Sequence, residues 1–326
     1  MKKPIISVCA LGGTICMSAK GKNKGVEPTF NANDLIDAVP GVEKLATLKT
    51  ATLFALPSGS LKIENLLEVY EWAKNEVKNG SNGIVVTQGT DTLEESAFFL
   101  NLIWDEDIPF VITGAMKNPD EISADGPANI LASIITAIDK NSFKRGVLVV
   151  LNNTIHSAKF VHKSNTFSLD TFKSINAGIQ GMVIENEVKY VSPAIKRVLL
   201  HIDKNKKIPK VTIIQSYIGD NGDELEILER QGFEGIVISS FGAGHVSKDM
   251  MKKIENSKIP IIISSRTGSG ITAKKTYGYY GSEITLLENG CIMSGWLNPF
   301  QARLLLIALL LGKKQKEDII ECFDKF

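Results

Sequence analysis

Short runs of β-branched and other apolar residues recur along this chain, and they constrain its fold more than any other feature. They are Ile5–Leu11, Gly83–Val86, Phe110–Thr113, Val147–Leu151, Val211–Gln215, Gly235–Ser239 and Pro260–Ser264. Glycine or hydroxyl residues and then a helical pattern follow each run. A strand that is apolar throughout must be covered on both faces. Strands alternating with helices achieve that cover as a parallel sheet. The repeat therefore predicts an α/β protein. In such sheets ligands bind beyond the carboxyl ends of the strands, so the chemistry is expected just after the runs.

Helix starts are marked locally. Thr92-Leu93-Glu94-Glu95 fits a capping box before a helix over Ser96–Trp104. Pro127 suits the first turn of a helix over Ala128–Ile138, and Asn298-Pro299 opens one over Phe300–Leu311 with Gly312 as its stop. Residues 191–210 are rich in Lys and contain two Pro. They read as a linker between a large N-terminal domain over 1–190 and a smaller C-terminal domain over 211–326. A chain of 326 residues is long enough for both.

Charge and composition remove several classes of function. Lys plus Arg number 37 and Asp plus Glu 36, which gives no field for nucleic acid or a membrane surface. Cys9, Cys16, Cys291 and Cys322 form no CxxC pair, and Cys9 lies in an apolar run as a core residue. His156, His162, His201 and His245 lack zinc-ligand spacing. No metal is expected. The N-terminal MKKPIISVCALGG has an apolar stretch too short for a signal peptide, and Leu304–Leu311 is far below membrane-spanning length. The expected location is the cytoplasm.

Candidate chemistry gathers at the strand ends. Leu11-Gly12-Gly13-Thr14 lets the backbone turn sharply and leaves a threonine at the end of the first strand. The G-x-G-x-x-G fingerprint is absent there, so no dinucleotide, and no cofactor, is expected. Thr87-Gln88-Gly89-Thr90-Asp91-Thr92 places two hydroxyls and a carboxylate at a helix N-terminus. Backbone N–H groups and the helix dipole there favour an anion, while Asp91 suits a cation. One turn could thus hold both charges of an α-amino acid. The plain alternative makes Thr90 and Asp91 capping residues. Thr113-Gly114-Ala115-Met116, the run Ser123–Asn129 and Lys163 follow later strands; taken singly, they read as loop, helix start and solvated lysine.

Taken in order, LGGTI, TQGTDTLEE, TGAMK with SADGPAN, HKSNT, SSFGAGH, SSRTGSG and SGWLNPFQAR resemble the bacterial-type L-asparaginases and glutaminase-asparaginases. The resemblance runs from Ile5 to about Leu311. It implies a flavodoxin-like N-terminal domain, a small α/β C-terminal domain, and active sites completed across a homodimer, commonly within a dimer of dimers. It implies hydrolysis of L-asparagine to L-aspartate and ammonia, with a weaker glutaminase activity. By matched motif, Thr14 is the implied nucleophile, and Thr90, Asp91 and Lys163 are the second catalytic set. Asp91 and Ser58 are implied ligands of the substrate's ammonium and carboxylate, Gly89 lies in the binding turn, and the Ala115 carbonyl receives the side-chain amide. Around Ser58-Gly59-Ser60 either serine fits the ligand's place. Glu283 falls where a neighbouring subunit enters the site, and His245 stands where many members carry asparagine or serine.

The family places a tyrosine in the loop after its first threonine, and residues 15–34 contain none. A tyrosine of Tyr277-Gly278-Tyr279-Tyr280 from the neighbouring subunit, hydrogen-bonded to Glu283, is the expected substitute, and the plain alternative is that these aromatics pack the subunit interface. The segment from Ile15 to Asn33, with Gly21, Gly25 and three lysines, is expected to act as a lid. Two other functions stay open on the residues alone: a non-catalytic amino-acid-binding protein, and an amidase of a larger substrate. Ammonia release separates them.

Overall fold

A computed structural model describes residues 3–19, 26–28 and 30–326. Part of the expected lid, at 20–25 and 29, lies outside the described residues. The chain divides into two compact units, Met1–Leu199 and Leu200–Phe326.

The first unit runs β1 (Ile5–Ala10), β2 (Met17–Ala19), β3 (Val26–Pro28), α1 (Ala32–Asp37), β4 (Thr47–Thr52), α2 (Ile63–Lys78), β5 (Gly83–Thr87) and α3 (Leu93–Ile103). It continues through β6 (Phe110–Thr113), α4 (Gly126–Ile138), β7 (Val147–Leu151), β8 (Thr154–Ser157), β9 (His162–Lys163), β10 (Phe172–Lys173), β11 (Gly181–Ile184) and β12 (Glu187–Tyr190). Its main sheet has the order β12-β11-β8-β7-β6-β5-β1-β4. From β7 to β4 the strands are parallel, as the apolar runs imply.

The other edge is antiparallel, so the sheet is mixed. Two tight turns build that edge. Asn152 and Asn153 have φ of 48° and 56°, and Glu185 and Asn186 have 52° and 60°. Two left-handed residues in succession give the turn twist that joins adjacent antiparallel strands. Asn152-Asn153 is therefore the turn of a hairpin that joins β7 to β8. At the opposite edge β4 pairs with β1 from Ile5↔Thr47 to Ala10↔Thr52. Its sequence, TLKTAT, carries no apolar run.

One face of the sheet packs Ile6, Val8, Val85, Val111 and Leu148 against Leu35 of α1 and Ile130 and Ile134 of α4. Ile84, Val86, Ile112 and Val149, which alternate with them, are equally buried. Side chains alternate across a strand, so that second face needs its own cover, and α3 packs there against β6 and β7. The expected capping box of α3 does not form. The helix starts at Leu93, and Thr92 makes no side-chain cap. Its hydroxyl donates instead to the Ser58 carbonyl at 3.0 Å, and Glu94 is turned inward and buried.

The second unit runs β13 (Val211–Gln215), α5 (Asp223–Arg230), β14 (Gly235–Ser240), α6 (Lys248–Ile254), β15 (Ile261–Ser265), α7 (Glu283–Glu288), β16 (Ile292–Met293), α8 (Pro299–Leu311) and α9 (Lys316–Phe323). Its strands form one parallel sheet in chain order. The α8 start carries the expected cap, with Asn298 and Gln301 bonding reciprocally, and Gly312 ends it. Among the described residues no helix is long and apolar enough to cross a membrane.

Candidate active site

Strand β1 leads through Leu11 into Gly12-Gly13, both with positive φ, and Thr14 opens a short 3₁₀ turn. Gly13 makes the site compact. A Cβ there would fall inside the backbone of Gly89, so the turns after β1 and β5 touch main chain to main chain. Leu11 N–H donates to the Thr87 carbonyl at 2.9 Å just before that contact. Thr14 and Thr90 therefore follow directly from two backbones in contact.

Two more turns close on Gly89. The Ser58 hydroxyl lies 2.8 Å from where a Gly89 Cβ would stand. Ser58 is buried, whereas Ser60 is exposed; only Ser58 is brought to the turn. Gly114 lies against the Gln88 carbonyl and the Thr90 methyl, which puts the buried Ala115 one residue away. The Ala115 turn is braced from Ser123–Asn129. Asp125 accepts the Met116 and Lys117 N–H groups, and Asn129 donates to the Gly114 carbonyl at 3.0 Å and accepts from Asn152 N–H at 2.8 Å. Asp125 and Asn129 thus do more than start a helix.

Lys163 arrives from β9, 73 residues beyond Thr90. Its ammonium donates to Thr90 Oγ1 at 2.9 Å and to Asp91 Oδ1 at 2.6 Å. Asp91's side chain is 76% exposed and that of Lys163 only 16%. Lys163 is thus not the solvated loop lysine of the plain reading. A carboxylate open to solvent beside a buried hydroxyl suits a turn that binds a cationic group at its rim and does chemistry within. Among the described residues no three His, Cys, Asp or Glu side chains are placed to share a metal ion. All four cysteines are buried, free thiols, and burial pushes Cys9 and Cys291 up to about 12.

In the second unit Glu283 is fully buried at the start of α7. Its Oε1 accepts the Thr276 and Tyr277 N–H groups at 2.7 and 2.6 Å, and Oε2 pairs with His245 Nε2 at 3.1 Å. Burial opposes its charge. The Tyr277 and Thr276 amides and His245 outweigh burial and hold the carboxyl below its usual range. The expected tyrosine hydroxyl on Glu283 is replaced by these partners. Tyr277 and Tyr279 instead set their rings edge-on to His245, at 4.9 and 5.5 Å between centroids. Ser282 explains the difference: its hydroxyl holds the Tyr277 carbonyl at 2.6 Å and turns the main chain, not the phenol, toward Glu283.

The model of the asparaginase N-terminal domain matches residues 5–196, and that of the glutaminase/asparaginase C-terminal domain matches 210–323. The chain belongs to the asparaginase family. It is 33% identical to a probable periplasmic L-asparaginase of Haemophilus influenzae, over 99% of this chain and 93% of that one. It is 32% identical to L-asparaginase 2 of Escherichia coli, with the same coverage. A crystal structure of a probable cytoplasmic L-asparaginase from Campylobacter jejuni superposes with a TM-score of 0.90 at 30% identity, over 99% of this chain and all of that one.

Within this asparaginase the first unit assembles Thr14, Ser58, Gly89, Thr90, Asp91, Ala115 and Lys163 around one pair of touching turns. His245 and Glu283 form their own cluster in the second unit. Sequence reasoning missed Glu94, which it used as a helix cap, and His162, which it passed over. The available signal was Glu94's place, with Glu95, in the first turn of a largely apolar helix just after Thr90 and Asp91.

Proposed function

We propose that this chain hydrolyses the side-chain amide of L-asparagine to L-aspartate and ammonia, with L-glutamine as the poorer substrate. The observation that carries the reading is Lys163, whose ammonium bonds a buried threonine hydroxyl and an exposed aspartate at once. The substrate's α-ammonium goes to Asp91, and its α-carboxylate to Ser58 and the amides of the Gly89–Thr90 turn. The amide carbonyl then lies toward the Ala115 turn. Thr14 Oγ1 attacks the amide carbon, and N–H donors take the charge that forms on the oxygen. Ammonia leaves with an added proton, and water cleaves the resulting ester. Thr90 and Lys163 supply proton transfer. Lys163 must first lose a proton of its own to act as a base.

We read the working enzyme as a homo-oligomer in which a second copy supplies Glu283 and His245, acting in the cytoplasm. The likeness to the Campylobacter jejuni protein, a probable cytoplasmic enzyme, supports that location, while the Haemophilus influenzae relative bears a periplasmic name.

Ammonia release from asparagine, glutamine and their D-forms tests the reaction. Turnover is expected on L-asparagine first. Binding of asparagine with no ammonia released would leave the amino-acid-binding reading in its place. Asp91→Asn is expected to raise KM for asparagine at least about tenfold, the worth of one charge-assisted contact. Its Tm should hardly move, because an ion pair this exposed contributes little to stability. An unchanged KM and kcat would remove Asp91 from the site.

A further inference from the structure

Strand β9 is two residues long and, among the described residues, pairs only with the equally short β10, Lys163 opposite Phe172 and His162 opposite Lys173. So small a ribbon has little stability of its own, yet it carries Lys163. What holds it lies across the sequence in α3. Glu94 Oε2 accepts the Lys163 main-chain N–H at 2.7 Å and meets His162 Nδ1 at 2.9 Å, and Oε1 lies 3.2 Å from the same nitrogen. Glu94 is only 6% exposed. A carboxylate this deep must have its charge met. The first turn of α3 and the two donors of β9 meet it.

The geometry is that of a grip at two ends. Thr90 and Asp91 hold the Lys163 side chain at Nζ, and Glu94, three and four residues on, holds its backbone. We propose that Glu94 and His162 are positioning residues for Lys163: the carboxylate clamps β9 through His162 and the Lys163 amide, and so sets where the ammonium meets Thr90. The inference rests on the role given to Lys163 above. Holding a reactive group in one geometry is itself a rate effect, and small misplacements are costly.

The clamp has a pH dependence. The groups around His162 are Glu94 from α3, Lys163 beside it, and Lys173 from β10, whose ammonium is held by Asp170 at 2.5 Å. The hydrogen bond to Glu94, against burial, raises His162 above its ordinary value. A raised histidine stabilises the fold fully below its unfolded pKa of about 6.5, and that contribution is lost as pH rises through the folded value. The clamp is therefore charged and tight on the acid side, and weaker above it.

The test measures ammonia release from asparagine and thermal melts from about pH 5 to pH 9 for His162→Ala, His162→Asn, Glu94→Ala and Lys163→Met. In the parent, kcat should fall in part as pH rises through the His162 pKa. Asn keeps a donor near the Nδ1 position and does not titrate. His162→Asn should retain most of the turnover and lose that break. His162→Ala should lower kcat about tenfold with KM within about twofold, and Glu94→Ala should lower it about a hundredfold. Should Glu94→Ala fail to fold, the two His162 variants decide alone. A His162→Ala enzyme with parental kcat and an unchanged pH break would overturn the clamp. If Lys163→Met is dead in that case, the role of Lys163 stands and only the clamp falls. An active Lys163→Met would show instead that the reading beneath it is wrong.

Discussion

Thr90→Val and Thr14→Ala should each lower kcat on asparagine by about 10³-fold, within the range that a positioned proton-transfer group or nucleophile contributes. Valine matches threonine in shape, so at Thr90 the change removes a buried hydroxyl and little else. That hydroxyl is one of the two atoms that hold the Lys163 ammonium. Its loss leaves Lys163 on Asp91 alone, at the exposed rim. Thr14 is half-buried. Its backbone is fixed by the Gly13–Gly89 contact and by the Cys16 N–H bonded to the Gly13 carbonyl at 2.9 Å, so its side chain is not needed to shape the turn. Both variants should therefore melt close to the parent. Steady-state ammonia release beside a thermal melt measures the pair. Near-parental kcat in either variant would remove that threonine from the chemistry.

Gly13→Ala should damage stability and turnover together. At Gly13, φ is +85°, where an L-residue costs about 1–2 kcal/mol. The added methyl would also overlap the Gly89 backbone, and main chain cannot rotate away as a side chain can. The turns after β1 and β5 must then part. We expect a loss of about 3 kcal/mol, or roughly 6–12 °C in Tm for a unit of this size. Separating Thr14 from Thr90 should also cost about 10²-fold in kcat. Gly80→Ala is the matched comparison. Gly80 has a similar φ of +89° but nothing within 4 Å of an added Cβ. It should show the backbone strain alone, with kcat retained. If the two variants melt alike and both retain activity, the turns do not depend on contact at Gly13.

The sequence by itself determined the parallel core and the places where chemistry gathers. Runs such as Phe110–Thr113 and Val147–Leu151 coincide with strands residue for residue. Burial on both faces requires an apolar side chain at every position, and that demand is visible locally. Gly-Gly-Thr and the Gly89–Asp91 segment were legible for a similar reason: a sharp turn at a strand end restricts residue type within a few positions. Strand β4 was not legible, because an edge strand with exposed positions carries TLKTAT with no apolar run. Nor were β8, β11 and β12, where asparagine and glutamate take the left-handed turn positions that glycine more often marks. Only the tertiary structure decided between Ser58 and Ser60, since both are serines in one short turn and burial alone distinguishes them. It likewise turned Glu94 from a helix cap into the anchor of Lys163, 69 residues away, and gave Glu283 backbone amides and an imidazole in place of a phenol. A carboxylate's identity says that its charge must be met when it is buried. Which donors meet it depends on segments far apart in the chain, and no local pattern records them.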